Sequence, residues 1–356
     1  MFISHMTLYI TAKKIVQRLI DHGHTAYFAG GWVRDFLMKH PSNDIDIVTS
    51  ASVEETMKIF PKTIPVGINF GIVVVVEDGH HFEVAMFRKE SGFLDGRRPD
   101  KVEYADPKQD ALRRDFTING MFFDPIKEEV FDYVGGRVDL EKEVVRAIGD
   151  AHERFLEDRL RMIRAVRYAS RFRFAIDPKT IQAILHHSDE LFPAVAMERV
   201  ASEFEKMAKI KHFDEALVML YQLNLLQVIF PELADLDEVE IEERVKFISL
   251  FPENTPLIAK LLELFPAATK EQKIGLVDYL KLAGSDKKFV LELDGWVDSE
   301  SLDNYGLAKL CAMPNASMCL KISGLKSEDP EFERKLKERI EPLLPAIERL
   351  KNKNPL

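Results

Sequence analysis

The chain has 356 residues, 46% of them hydrophobic and 30% charged, enough to bury the cores of two or three domains and too apolar for an intrinsically disordered chain. A formal net charge of -10 excludes a generally basic nucleic-acid-binding surface, so any RNA contact has to come from local concentrations of Arg and Lys. The two cysteines, Cys311 and Cys319, have no His pair at metal-ligand spacing and read as free buried thiols rather than a disulfide or zinc site. The longest apolar run, residues 72–76, is too short to cross a bilayer, and a cytoplasmic protein without membrane contact is expected.

Ile15, Val16, Leu19 and Ile20 recur at helical spacing ahead of Gly23, predicting an amphipathic opening helix stopped by glycine. A short strand over 26–29 runs into Gly30 and Gly31, and helical spacing resumes from Trp32 to Met38, with Pro41 beyond. Asp44-Ile45-Asp46-Ile47-Val48 alternates acidic and apolar residues, the period of a strand with both carboxylates on one face. Ser52 and Glu55 form a capping-box signature for a helix through Met57 and Ile59. Strands over 70–76 and 81–87 meet at the turn signal Asp78-Gly79, and Glu83 falls in the second. Gly92, Gly96 and Pro99 break the charged stretch 88–104, which reads as a mobile loop. A polar segment, 110–120, then precedes a strand at 121–123 that pairs with 130–133.

After about residue 150 the pattern changes. Leu156, Leu160, Ile163, Val166 and Tyr168 follow helical spacing over 154–174, strand signals nearly vanish, and Pro231, Pro252, Pro256 and Pro266 mark helix breaks. A charged amphipathic helix over 335–353 ends the chain. The expectation is an α+β protein: a mixed-sheet head at 1–150, a helical neck at 151–207, and a helical body and tail at 208–356.

The chemistry concentrates in four places. Gly30 and Gly31 ahead of a helix let a backbone approach a phosphate, although most glycine pairs only make a turn; Arg34 is a further phosphate donor or, equally, a surface partner of Asp35. Asp44 and Asp46 on alternate positions can share a divalent metal, with Glu83 on a neighbouring strand as a third carboxylate, although an Asp-x-Asp pair alone also suits a solvated edge strand. In 113–119, Arg113 and Arg114 supply guanidinium groups for a triphosphate, and Asp115 and Asn119 suit ribose hydroxyls. Asp158 and Arg161, at i and i+3, place an acceptor beside donors, the complement of the amino group and ring nitrogen of cytosine and of adenine; the same spacing also makes a plain helix salt bridge. Arg164 belongs to the same basic stretch, Arg154 to Arg173, whose remaining guanidinium groups should meet RNA phosphates or carboxylates such as Glu198 and Glu203. His186-His187-Ser188-Asp189 lacks partner clusters and reads as a solvated helix end.

Together these motifs resemble the class II tRNA nucleotidyltransferases (CCA-adding enzymes) and bacterial poly(A) polymerases of the polymerase β nucleotidyltransferase superfamily. Gly30-Gly31-Trp32-Val33-Arg34-Asp35 with Asp44-Ile45-Asp46 resembles motif A, and 113–119 resembles motif B. Residues 154–161 are similar to the hinge running into motif D, whose Asp and Arg pair with the incoming base, and 195–199 to the start of motif E. The likeness covers about 26–207. It implies a seahorse-shaped protein with a polymerase-β-like head, two magnesium ions held by Asp44 and Asp46, Glu83 as third catalytic carboxylate, and nucleotide contacts from Gly30, Gly31, Arg34, Arg114, Asp115, Asn119, Asp158, Arg161 and Arg164. CTP and ATP would be the substrates and the tRNA acceptor arm the partner. Residues 88–98 resemble the flexible loop that helps the switch from C to A addition. Met86 stands where Thr is usual, and Gly120 replaces the usual Ala. Full CCA addition, A-only or CC-only addition, and poly(A) synthesis share these motifs, the lack of a long basic C-terminal extension weighing against the last. No metal-phosphohydrolase domain is evident, so phosphatase activity is not expected. A catalytically silent RNA-binding protein on the same scaffold is the alternative of another class.

Overall fold

A computed structural model describes residues 2–40, 42–92, 100–297, 299–327 and 329–353. They divide into two compact units, Met1–Val195 and Ala196–Leu356.

The first unit opens with helix α1 (Phe2–Asp21), strand β1 (Ala26–Ala29), helix α2 (Gly31–Leu37), strand β2 (Asp46–Thr49) and helix α3 (Val53–Ile59). The Ser52 and Glu55 capping box forms as expected, each side chain bonded to the other's backbone amide. Strands β3 (Thr63–Ile64), β4 (Ile72–Glu77) and β5 (His80–Met86) follow. Asp78 (φ 48°) and Gly79 (φ 79°) make the β4–β5 turn with two left-handed residues, the geometry of a tight hairpin. Later come β8 (Phe122–Asp124) and β9 (Glu129–Phe131), which join these into one mixed seven-stranded sheet of order β3-β4-β5-β2-β1-β8-β9. β2 runs parallel to β5, and the other pairings are antiparallel.

Both faces of this sheet are covered around β1 and β2, so Ile47 and Val48 are both buried. α1 lays Ala12, Ile15, Val16 and Leu19 into a core with Phe28, Ile47, Val73 and Val75, while Ala29, Val48, Phe87, Ala111 and Phe122 pack together in a second cluster. The acidic and apolar alternation over 44–48 therefore overstates the strand. Asp44 lies exposed ahead of it, and β2 begins at Asp46.

The stretch 88–104, expected to be a loop, contains a β-hairpin. β6 (Arg88–Ser91) and β7 (Lys101–Tyr104) pair antiparallel in the register Arg88–Tyr104 to Ser91–Lys101, while residues 93–99 of that expected loop lie outside the described residues. Ion pairs secure the hairpin: Glu90 accepts from Arg88 Nε at 2.7 Å and Arg113 Nη1 at 3.1 Å. Hydrophobic periodicity does not register such pairs. The polar segment 110–120 begins in helix α4 (Pro107–Leu112), and helix α5 (Gly136–Glu141) follows β9.

The helix expected over 154–174 is two helices, α6 (Ala151–Glu157) and α7 (Leu160–Phe172). Asp158 between them is extended (φ -152°, ψ 102°), and its Oδ1 accepts from Leu160 N at 3.1 Å. An aspartate that bonds the backbone two residues ahead offers the chain an alternative to the helical ladder. Strands β10 (Val144–Val145) and β11 (Ala175–Ile176) form a small parallel pair, and α8 (Pro178–His187) follows, capped by Asp177.

The second unit is helical, from Met197–Ala208 to Leu344–Lys353. Its core includes Ile258, Phe289, Trp296, Leu307, Cys319 and Leu336. Pro231 opens a short 3-10 turn, and helix Leu257–Leu261 starts directly after Pro256, as the proline breaks predict. Both cysteines are free, and burial pushes the Cys319 thiol up to about 12. Among the described residues no helix is long and apolar enough to cross a membrane.

Candidate active site

β1 passes into α2 through Gly30, whose φ of 66° and ψ of -134° form a backbone conformation rarely open to residues with a Cβ. A Cβ there would meet Arg114 Nη1 at 3.1 Å and Asp46 Oδ2 at 3.7 Å. The glycine is thus the floor of a gap between a guanidinium and a carboxylate. Trp32 fixes the helix that follows, its ring 5.0 Å from those of Phe28 and Phe36.

Three strands converge at the same place. Ala29 of β1 pairs with Asp46 of β2, and the parallel register Ile47–Val84 sets Asp46 beside Glu83 of β5. Burial pushes the Asp46 carboxyl up to about 6, the charges of Asp44 and Glu83 push in the same direction, and Arg114 opposes them. Asp44, Asp46 and Glu83 therefore lie close enough for their negative charges to repel. Such a set of hard oxygen donors fits a hard divalent cation, whose charge relieves the repulsion.

The Arg114 guanidinium is held from behind. Its Nε and Nη2 donate to Asp110 Oδ2 at 3.1 and 2.9 Å, and it lies over the Phe122 ring at 5.1 Å. Asp110 is fully buried and also accepts from Arg113 Nε at 2.9 Å and from the Arg88 amide at 3.2 Å. Burial alone would raise its pKa, but Arg114 and Arg113 outweigh that, and the carboxyl stays below the usual range. Asp110 is a site residue that motif reading missed. Its spacing to Arg113 and Arg114, i+3 and i+4 at a helix end, was the available signal.

Arg34, expected as a phosphate donor or as a surface partner of Asp35, is 3% exposed. Its guanidinium donates to Asp35 Oδ1 at 2.8 Å and to Asn119 Oδ1, and it lies over the Phe172 ring at 4.5 Å. The surface pairing with Asp35 is likewise a buried one. From there a chain of bonds continues: Asn119 Nδ2 donates to Asp115 Oδ1 at 3.1 Å, and Asp115 Oδ2 accepts Arg164 Nε at 3.0 Å. Arg164 also reaches the Tyr168 hydroxyl at 3.1 Å, and Asp35 accepts from Arg171 Nη2 at 3.2 Å. Burial raises the Asp115 carboxyl, but Arg164 and Asn119 outweigh it and hold the group far below the usual carboxylate range. Arg34, Asn119, Asp115 and Arg164 thus form one charged network tying the segment after α4 to α2 and α7.

Asp158 and Arg161 do not sit side by side on a helix. Because Asp158 is extended between α6 and α7, the Arg161 guanidinium turns to Glu157 Oε2 at 2.7 Å and to the carbonyls of Arg154 at 3.0 Å and Arg113 at 3.3 Å. The last bond puts Arg161 next to the Arg113-Arg114 turn. Other charged groups of this stretch pair locally: Arg154 with Glu157 and Arg159 with Glu190, while Glu203 accepts from Lys206.

Comparison with known proteins bears on this geometry. A family profile described as "Poly A polymerase head domain" matches residues 26–146, and a second, described as "Probable RNA and SrmB- binding site of polymerase A", matches 173–236. The CCA-adding enzyme of Anoxybacillus flavithermus is 42% identical over 239 residues, which cover 67% of this chain and 58% of that protein. That of Lactococcus lactis is 37% identical over 314 residues, 85% of this chain and 77% of that one. The crystal structure of the Bacillus stearothermophilus CCA-adding enzyme in complex with CTP superposes with a TM-score of 0.70 at 31% identity, covering 94% of this chain and 83% of that one. The chain spans about half to three fifths of the length of most of the curated relatives it matches.

Proposed function

The chain belongs to the family of CCA-adding enzymes, and from that premise we propose that it is a template-independent nucleotidyltransferase that adds C and A to the 3′ end of tRNA from CTP and ATP. The observation that carries this reading is the approach of Asp44, Asp46 and Glu83 to one another beside Gly30 and Arg114, with the Asp46 carboxyl raised by burial and by the two neighbouring carboxylates.

The tRNA 3′ hydroxyl attacks the α-phosphorus of the bound triphosphate, a new phosphodiester forms, and the bond to the bridging oxygen breaks to release pyrophosphate. The family depends on divalent metal, and magnesium is the ion proposed here. Asp44 and Asp46 would hold it with Glu83 alongside; when bound, it lowers the cost of ionising the hydroxyl and offsets charge on the phosphates. The remaining work falls to the chain itself. Gly30 keeps the space between Asp46 and Arg114 open for a phosphate, and Arg114, braced by Asp110, supplies a fixed positive charge there. Asp115, Asn119 and Arg164 set the wall against which the ribose and base would rest. Arg161 and Asp158 would read the amino and ring-nitrogen edge shared by cytosine and adenine, Arg161 being held at the head by the Arg113 carbonyl. Residues 173–236, matched by the RNA-binding profile, would hold the acceptor arm.

The test uses purified protein, magnesium, labelled CTP or ATP, and tRNAs ending before the CCA, after the first C and after CC. Stepwise addition of C, C and A is the expected result. Incorporation of A on the CC-ending tRNA alone would assign an A-adding enzyme, addition of C without A a CC-adding enzyme, and long A tracts a poly(A) polymerase. No incorporation on any substrate would overturn the enzymatic reading.

A further inference from the structure

A second cluster of ligating side chains lies in the first unit, away from the three carboxylates in sequence and chemistry. His152 stands on α6, and His186 and His187 end α8. Sequence separation hides this grouping, because the third histidine is more than thirty residues upstream of the pair. One ring nitrogen of each lies within 4.8 Å of the other two, and His152 Nδ1 is 3.1 Å from His187 Nε2. The three rings meet edge to face, with centroids 4.7 to 5.3 Å apart.

From these observations we propose that His152, His186 and His187 form a binding site for a divalent transition metal of the zinc class, clipping α6 to the end of α8. A tetrahedral zinc ion with bonds of about 2.0–2.1 Å holds its ligand nitrogens roughly 3.4 Å apart. The His152–His187 pair is already near that separation, and the third nitrogen needs only side-chain rotation. All-nitrogen donors select such a metal over magnesium, which prefers oxygen.

The surroundings fit a ligand role. His187 is 5% exposed, so its ring is held in place. Glu190 Oε1 lies 3.2 Å from His187 Nδ1, which places a carboxylate beside the ring nitrogen that does not meet His152, while Nε2 faces the other histidines. The other oxygen of Glu190 accepts from Arg159 Nη2 at 2.8 Å, so the carboxylate is itself fixed. His152 and His186 are exposed, giving an ion in solution direct access. Arg159 follows Asp158 in the break between α6 and α7, so the same contacts brace the linker proposed to read the base.

The test uses the untagged full chain, stripped with chelator and kept in excess magnesium so that the oxygen-ligand site is filled. Titration with zinc should show one equivalent bound per chain, and cobalt should give the intense visible bands of a tetrahedral nitrogen site. His186→Ala and His152→Gln, both at exposed positions, should each weaken zinc binding at least tenfold and abolish the zinc-dependent rise in thermal midpoint, with the metal-free midpoint unchanged. Less than one equivalent in the wild-type protein, or the same affinity in both variants, would overturn the site. Neither result bears on nucleotide addition, which depends on other residues.

Discussion

Gly30→Ala is the most informative single change in the head. The backbone at Gly30, φ 66° and ψ -134°, costs a residue with a Cβ about 1–3 kcal/mol. The new methyl would also stand 3.1 Å from Arg114 Nη1. That guanidinium cannot swing aside freely, because two of its nitrogens bond to buried Asp110 and the Phe122 ring lies beneath it. A crowding cost of about 1 kcal/mol is therefore added, for a total of roughly 2–4 kcal/mol. Gly23→Ala separates the two contributions. Its φ is 85°, but a Cβ there meets nothing within 4 Å, so only the conformational cost of about 1–2 kcal/mol applies. Urea unfolding should rank the variants in that order with a common slope, and single-turnover incorporation of CMP should fall at least tenfold in Gly30→Ala alone. Equal stabilities for the two variants, with full activity in Gly30→Ala, would refute the claim that this glycine holds open a gap between Arg114 and Asp46.

Asp158→Ala should retain triphosphate binding and lose base choice; discrimination against UTP and GTP as strong as in the wild type would sink the assignment of this linker to base reading. Arg164→Gln leaves Asp115 buried with its main cationic partner removed and should cost about 3 kcal/mol at pH 7. The folded Asp115 pKa lies below its ordinary 3.8, so the stabilisation is complete above that value and is lost as pH falls towards the folded one. The gap between the two urea curves should accordingly narrow below about pH 4, and a gap that widens on acidification would contradict the pairing. Gly120→Ala should destabilise this protein by about 1–3 kcal/mol, because a Cβ would lie 2.7 Å from Val134 Cγ2 and 2.9 Å from Ile148 Cδ1. Thermal melting would check this, and an unchanged midpoint would show that those two side chains move away.

Local chemistry determined much of this protein. Periodicity placed α1, β1, α2 and the β4–β5 hairpin, since each buries a face whose spacing is set by its own backbone geometry, and the capping box at Ser52 is a bond between neighbours in the chain. The glycines and aspartates at 30–46 pointed to phosphate and metal chemistry for the same reason: they are close in sequence and on adjoining elements. What the sequence could not fix was which charged group meets which. Arg34 and Arg114 look alike along the chain, yet one is sealed under Phe172 with Asp35 and Asn119, and the other faces Gly30 and Asp46. The break at Asp158 turns on one side-chain bond to Leu160 that competes with the helix, and it sends Arg161 to Glu157. The ion pairs that order 88–91 against 101–104, and the meeting of His152 with His186 and His187, join residues distant along the chain. Charge pairs act through space over a few ångströms, and only the tertiary structure decides which residues come within that reach.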